Sequence, residues 1–155
     1  PKMTSLHKLI DDILISYSEH EKNFEIKKSF DPDLAQLTID PEQIRRVLIN
    51  LFENSTDALD EGGTIQIQTK VLDSKKVVRI EFSDNGVGIS SADREKLFLP
   101  HFTTKRRGTG LGLAIVNRIV IDHNGTINVQ DNHPKGTKFI IDLPYTQNTL
   151  KFQNS

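Results

Sequence analysis

Asn50, Asn54 and Asp57 lie within one stretch of helical periodicity. At about 100° per residue they fall within an arc of roughly 60° on one side of the helix. Ile44, Val47, Leu48, Leu51, Ser55 and Ala58 fill the adjacent arc, which must face the core. The polar stripe therefore runs along the edge of that core. Oxygen donors there suit a hard cation such as Mg²⁺, which takes one or two protein ligands and completes its shell with phosphate and water. A solvated helix face produces the same pattern and, for the stripe alone, is the commoner reason for it.

Three further segments carry candidate chemistry. Asp84-Asn85-Gly86-Val87-Gly88-Ile89 follows directly on a strand. Its two glycines allow a sharp turn and the close approach of a flat ligand, and its carboxylate can accept a hydrogen bond from an exocyclic amine. Asp-Asn-Gly is equally an ordinary turn sequence. Lys105-Arg106-Arg107-Gly108-Thr109-Gly110-Leu111-Gly112-Leu113 is a glycine-rich run entering an apolar helix. Free amides and the positive end of that helix make an anion site, and Lys105 and Arg107 add charge suited to phosphate; a flexible loop is the alternative. The run lacks the Gly-Lys-Ser/Thr of a P-loop and the position of a dinucleotide fingerprint. Phe98-Leu99-Pro100-His101-Phe102-Thr103-Thr104-Lys105 reads as a lid that packs on ligand, or as a loop anchored by its aromatics.

Positioning these segments requires a mixed α/β framework. Leu6, Leu9, Ile10, Ile13, Leu14 and Tyr17 recur at helical spacing. Phe24 to Phe30 and Leu37 to Ile39 read as strands joined by an Asp31-Pro32-Asp33 turn. Asp40-Pro41-Glu42-Gln43 is a helix start, with Asp40 as cap, Pro41 in the first turn and Gln43 completing a capping box. That helix is expected to reach about Leu59, before Gly62-Gly63. Ile65 to Gln68 and Val78 to Phe82 alternate as two strands of a hairpin through Asp73-Ser74-Lys75. A short helix is expected near Ala92 to Leu97, a longer one from Leu111 to Asp122, and strands over Thr126–Gln130 and Lys138–Leu143. The order predicts a two-layer α/β sandwich, a mixed sheet with helices on one face.

The 155 residues are enough for one core, and 35% hydrophobic with 26% charged residues is a globular profile. A formal net charge of -1 argues against a general nucleic-acid binder, and the absence of cysteine excludes disulfides and thiolate metal sites. No apolar run is long enough to span a bilayer and no signal peptide is visible. The chain opens at Pro1-Lys2 and is expected to be a cytoplasmic piece of a longer protein, not itself membrane-embedded, whose parent is compatible with an inner-membrane anchor.

Taken in order, the segments resemble the catalytic domain of sensor histidine kinases, within the superfamily of gyrase, Hsp90, histidine kinases and MutL. Asn50-Leu51-Phe52-Glu53-Asn54-Ser55-Thr56-Asp57-Ala58 looks like the N box, Asp84 to Gly88 the first glycine box, Phe98 to Lys105 the F box, Gly108 to Gly112 the second glycine box, and Gly136-Thr137-Lys138-Phe139 the closing motif. Each is weak alone; their order over Phe24 to Pro144 is specific. The Phe-Thr-Thr-Lys run looks most like the nitrogen-regulation branch.

The resemblance implies the Bergerat ATP-binding sandwich, with ATP and Mg²⁺ as ligands. Its nucleotide-binding residues would be Asn50, Asn54, Asp57, Asp84, Gly86, Gly88, Ile89, Phe102, Thr104, Lys105, Arg107, Gly108, Thr109, Gly110, Leu111, Gly112 and Thr137. Asn54 would bind the metal with Asn50 beside it. Asp84 would accept from the adenine amine, supported by Thr137, and Lys105 with the amides of Gly108, Gly110 and Leu111 would hold phosphates. No catalytic residue is assigned. The implied partners are a histidine-bearing dimerisation domain and a response regulator receiver domain, with no nucleic acid.

Some positions depart from the family pattern. His101 stands where an aromatic is usual. Asn50 stands where the ATPase branches have a Glu, and an amide cannot serve as a base toward water. Glu53 points about 100° away from Asn54 round the helix. Neither His7 nor His20 has the acid-then-proline context of a phosphoacceptor, so both are expected at the surface and the chain is not expected to phosphorylate itself. His123 is expected near a helix C-terminus, a favourable place for a cation, and His133 in a turn. Residues 1–20 are expected to be the end of a dimerisation-domain helix or linker, 21–145 the ATP-binding domain and 146–155 a polar tail. Alternatives are a serine kinase of the anti-sigma-factor type, a non-catalytic module gated by nucleotide, and an ATPase clamp, which Asn50 disfavours.

Overall fold

Hydrophobic alternation and helical period sort the chain into short strands and three substantial helices in the computed structural model, which describes residues 1–18, 24–34, 36–59, 62–100 and 112–145. In chain order these are β1 (Lys2–Thr4), α1 (Leu6–Ser18), β2 (Phe24–Ser29), β3 (Leu37–Ile39), α2 (Pro41–Ala58), β4 (Gly63–Leu72), β5 (Val77–Asp84), α3 (Ser91–Arg94), α4 (Gly112–Asp122), β6 (Thr126–Asp131) and β7 (Thr137–Pro144). The α2 start follows its local chemistry: Asp40 Oδ1 accepts from the amides of Glu42 and Gln43 at 3.1 and 3.2 Å, and Pro41 opens the first turn.

The main sheet has the order β2-β4-β5-β7-β6. Only β2 and β4 run parallel, and the chain between them passes through α2, the crossover that parallel neighbours require. Register places Ile65, Ile67 and Thr69 of β4 beside Asp84, Phe82 and Ile80 of β5. Those in turn face Thr137, Phe139 and Ile141 of β7. With a side-chain period of two, all of them point to one face, which the helices cover. The opposite face carries the polar partners, among them a two-pronged Arg79–Asp142 pair at 2.8 and 2.9 Å. The expected two-layer sandwich is therefore observed.

The centre of the core is aromatic. Phe52 of α2 is buried and meets Phe82 and Phe24 edge-on, each at 6.1 Å between centroids. α1 joins this core: Leu6, Ile10 and Ile13 are buried with α2 and the sheet.

Two features were not foreseen from the sequence. Phe24–Ser29 and Leu37–Ile39 are both strands, but they belong to different sheets: β3 pairs antiparallel with β1, a strand unforeseen from the sequence. His7, expected at the surface, lies flat on Phe30 at 4.3 Å between centroids, with Nε2 2.9 Å from Thr69 Oγ1. His20 lies outside the described residues.

Candidate functional site

β5 ends with its last side chain turned toward the helices, and that side chain is Asp84, opposite Thr137 of β7. Asp84 is only 3% exposed. Its Oδ1 accepts from the Gly86 amide at 2.8 Å, and its backbone carbonyl accepts from Asn132 Nδ2 at 2.8 Å. The surrounding backbone is too close for side chains. A Cβ at Gly86 would strike the Ala58 carbonyl, and one at Gly136, where φ is +109, would strike the Asp84 carbonyl. Val87 N donates to Ala58 O at 3.0 Å, so the loop after β5 is stitched to the end of α2.

Burial pushes the Asp84 carboxyl above its ordinary range; the amides of Gly86 and Thr137 oppose that in part. Ser55 Oγ lies beside the carboxylate without closing a hydrogen bond of ordinary geometry, and it is buried with no partner among the described residues. A desolvated acceptor next to an unmatched hydroxyl is an incomplete polar site that suits a ligand edge carrying both a donor and an acceptor, directly or through water. The adenine edge is of that kind.

The raised affinity for a proton has a stability consequence of definite sign. The native state holds the Asp84 proton more tightly than the unfolded chain, so that contribution is present at low pH and lost as pH rises through the native value. Paired urea melts from about pH 4 to about pH 7 should show wild type losing stability relative to Asp84→Asn. A constant difference, or one of opposite slope, would contradict the burial argument.

The second half of the site is built by α2 and α4. Asn50 and Asn54 are half-buried one turn apart, and Asp57 is exposed. Asn50 Nδ2 donates to the Gly112 carbonyl at 3.2 Å, which holds the first turn of α4 against the polar stripe of α2. Among the described residues the Asn50 amide oxygen and the Asn54 side chain have no hydrogen-bond partner. Among the described residues no group of three or more His, Asp or Glu side chains stands ready as a metal cage. Two amide oxygens fit a cation that arrives with phosphate and keeps its waters, as Mg²⁺ does.

Gly88 has φ +77 and half-buried Ile89 follows it, packed on the core edge. Arg94 of α3 donates to the Ile89 carbonyl at 3.4 Å and pairs with Asp131 at 2.7 Å, tying this loop to the end of β6. Phe102, Thr104, Lys105, Arg107, Gly108, Thr109, Gly110 and Leu111 lie outside the described residues, as does His101. The structure thus brings Asn50, Asn54, Asp84, Gly86, Gly88, Ile89, Gly112 and Thr137 to the helix-facing end of the sheet. Ser55, Asn132 and Arg94 were not singled out as site residues. Ser55 carried a signal, as the one polar residue in the apolar arc of α2; Asn132 and Arg94 carried none.

Comparisons with known proteins bear on the family and the fold. Residues 39–147 match the family model described as histidine kinase-, DNA gyrase B-, and HSP90-like ATPase. The sensor histidine kinase ZraS of Escherichia coli K12 is 35% identical over 131 residues, covering 84% of this chain and 28% of ZraS. The chain therefore spans little more than a quarter of that relative. Among solved structures, the catalytic domain of histidine kinase ThkA is 34% identical with a TM-score of 0.83, covering 94% of this chain and 97% of that one. ThkA has also been solved in complex with the response regulator TrrA; that chain is 31% identical with a TM-score of 0.79 and coverage of 94% and 42%. Full-length ShkA in complex with AMPPNP is 25% identical with a TM-score of 0.75, covering 91% of this chain and 29% of that one.

Proposed function

Since this chain belongs to the histidine kinase-, DNA gyrase B- and HSP90-like ATPase family and shares its fold with histidine kinase catalytic domains, we propose that it is the ATP-binding catalytic domain of a two-component sensor kinase. It donates the γ-phosphoryl group of ATP to a histidine on a separate dimerisation domain, for relay to a response regulator. The observation that carries the reading is the buried Asp84 carboxylate beside the unmatched Ser55 hydroxyl, together with the Asn50–Asn54 stripe that holds the start of α4. The relatives support it: one is a kinase solved with a response regulator, another a kinase solved with an ATP analogue.

Each residue has a task in this reading. Asp84 accepts from the adenine amine, Gly86 and Gly88 let the base lie against the backbone, and Ile89 and Thr137 line it. The start of α4, with Lys105, Arg107, Thr109 and the amides of Gly108, Gly110 and Leu111, takes the phosphates. Phe102 and Thr104 belong to the segment that covers them. Asn54, with Asn50 and the exposed Asp57 on the same stripe, faces Mg²⁺ on the triphosphate; the ion neutralises charge on the transferring group. Asn50 donates its amide to Gly112, so it braces α4 and is no base for water.

Mixing this chain with a histidine-bearing dimerisation domain and ATP should label a histidine, giving an acid-labile product. Acid-stable label on a serine would instead favour the serine-kinase alternative, and label on this chain alone would oppose the reading. Asn54→Ala should remove most of the affinity that Mg²⁺ adds for an ATP analogue, while metal-free binding stays within about twofold in calorimetry. Equal Mg²⁺ enhancement in both proteins would remove Asn54 from the metal site.

A further inference from the structure

His123 is a half-buried titratable side chain that the proposed function leaves unused, and it joins two elements. It stands just past α4, where its Nδ1 lies 2.9 Å from the Ile119 carbonyl. Its Nε2 accepts the backbone N–H of Asp40 at 3.1 Å. An accepting Nε2 carries no proton, so these partners assign the neutral ring with its proton on Nδ1. Asp40 is the residue whose side chain caps α2.

Among the described residues two polar ties join the antiparallel α2 and α4, one at each end of α4. Asp40 meets His123 at one end and Asn50 meets Gly112 at the other. The ties are ten residues apart along α2 and eleven along α4, about 15–17 Å on each at about 1.5 Å per residue. Matching spans mean that both can close only at one axial setting of the two helices. That setting decides where the first turn of α4 stands relative to Asn54. The Asp84 end is held separately, by β5, β7, Gly86 and Asn132.

We infer that His123 is a positioning residue: as a neutral acceptor it sets the axial register of α4 against α2, and so aligns the phosphate-binding helix start with the metal-facing asparagines without touching the base. This rests on the nucleotide reading above. It predicts that loss of the tie weakens binding of the triphosphate and spares that of the nucleoside.

The test uses the 155-residue chain with two substitutions. His123→Phe keeps a ring but removes both hydrogen bonds; His123→Gln keeps an acceptor near the Nε2 position. Affinities for AMPPNP with Mg²⁺ and for adenosine are measured by calorimetry and ligand-observed NMR. His123→Phe should lose about fivefold for AMPPNP, the scale of one hydrogen bond, with adenosine nearly unchanged, and His123→Gln should recover most of the loss. A general loosening of the fold would weaken both ligands together. That result, a wild-type ratio in His123→Phe, or a glutamine variant as poor as phenylalanine would each overturn the inference. A wild-type chain that binds neither ligand would sink the nucleotide reading and this inference with it, and is distinguishable because it shows before any substitution is compared.

Discussion

Asp84→Asn is expected to reduce affinity for an ATP analogue by roughly tenfold to 150-fold, the loss of a hydrogen bond to a charged acceptor worth about 1.5–3 kcal/mol. The side chain is 3% exposed, and its Oδ1 already serves the Gly86 amide. The amide replacement keeps that bond through its own oxygen. Its other atom becomes an NH₂ donor, which would meet the donor amine of adenine. Little water reaches the position to relieve the mismatch. Calorimetric titration of both proteins measures the effect, and a cooperative melt of the variant shows that the fold survived. Unchanged affinity in a folded Asp84→Asn would remove this residue from base recognition.

A chain lacking residues 1–18 is expected not to fold. The sequence alone assigns the first helix to a neighbouring dimerisation domain, whereas Leu6, Ile10 and Ile13 are 0–3% exposed in the same core as Phe52 and Ile67. At about 1.5–3 kcal/mol for each fully buried side chain, the three contribute roughly 5–9 kcal/mol. That is comparable to the whole stability of an ordinary domain, about 5–15 kcal/mol. The same truncation removes β1 and leaves β3 without its partner, and it strips His7 from Phe30 and Thr69. Circular dichroism and urea titration of the truncated chain should show no cooperative transition. The single change Leu6→Ala should cost about 2–5 kcal/mol in a chain that still folds. A truncated chain melting like the full one would show that α1 adds little to the stability of this core.

Much of the site was readable because it is written in local chemistry. α2 announces itself through Asp40-Pro41 and its period, and three residues on that helix take their facing from the period alone. Asp84 could be placed at a strand end because β5 alternates cleanly up to it, and the glycines behind it mark backbone that other backbone touches. The order of the boxes led to the family that the comparisons then showed. Each of these signals, apart from the order of the boxes, lives within about twenty residues of chain, the range over which helical and strand periods operate.

What the sequence withheld depends on partners far away in the chain. The α1 stripe shows an apolar face and nothing of what covers it; only the packed core identifies α2 and the sheet as its cover. β1 is three residues long and exists because Leu37–Ile39 lies beside it. His123 has the same spacing to its helix end whether charged or neutral, and the Asp40 amide on its Nε2 decides the matter. Ser55 stands in the apolar arc of α2, but nothing near it in the chain says that Asp84 will be its neighbour. Periodicity tells which face of an element is apolar or polar. Which group from a distant segment arrives to meet that face is settled when the sheet pairs and the helices pack, since hydrogen bonds and burial are made between surfaces and not along the chain.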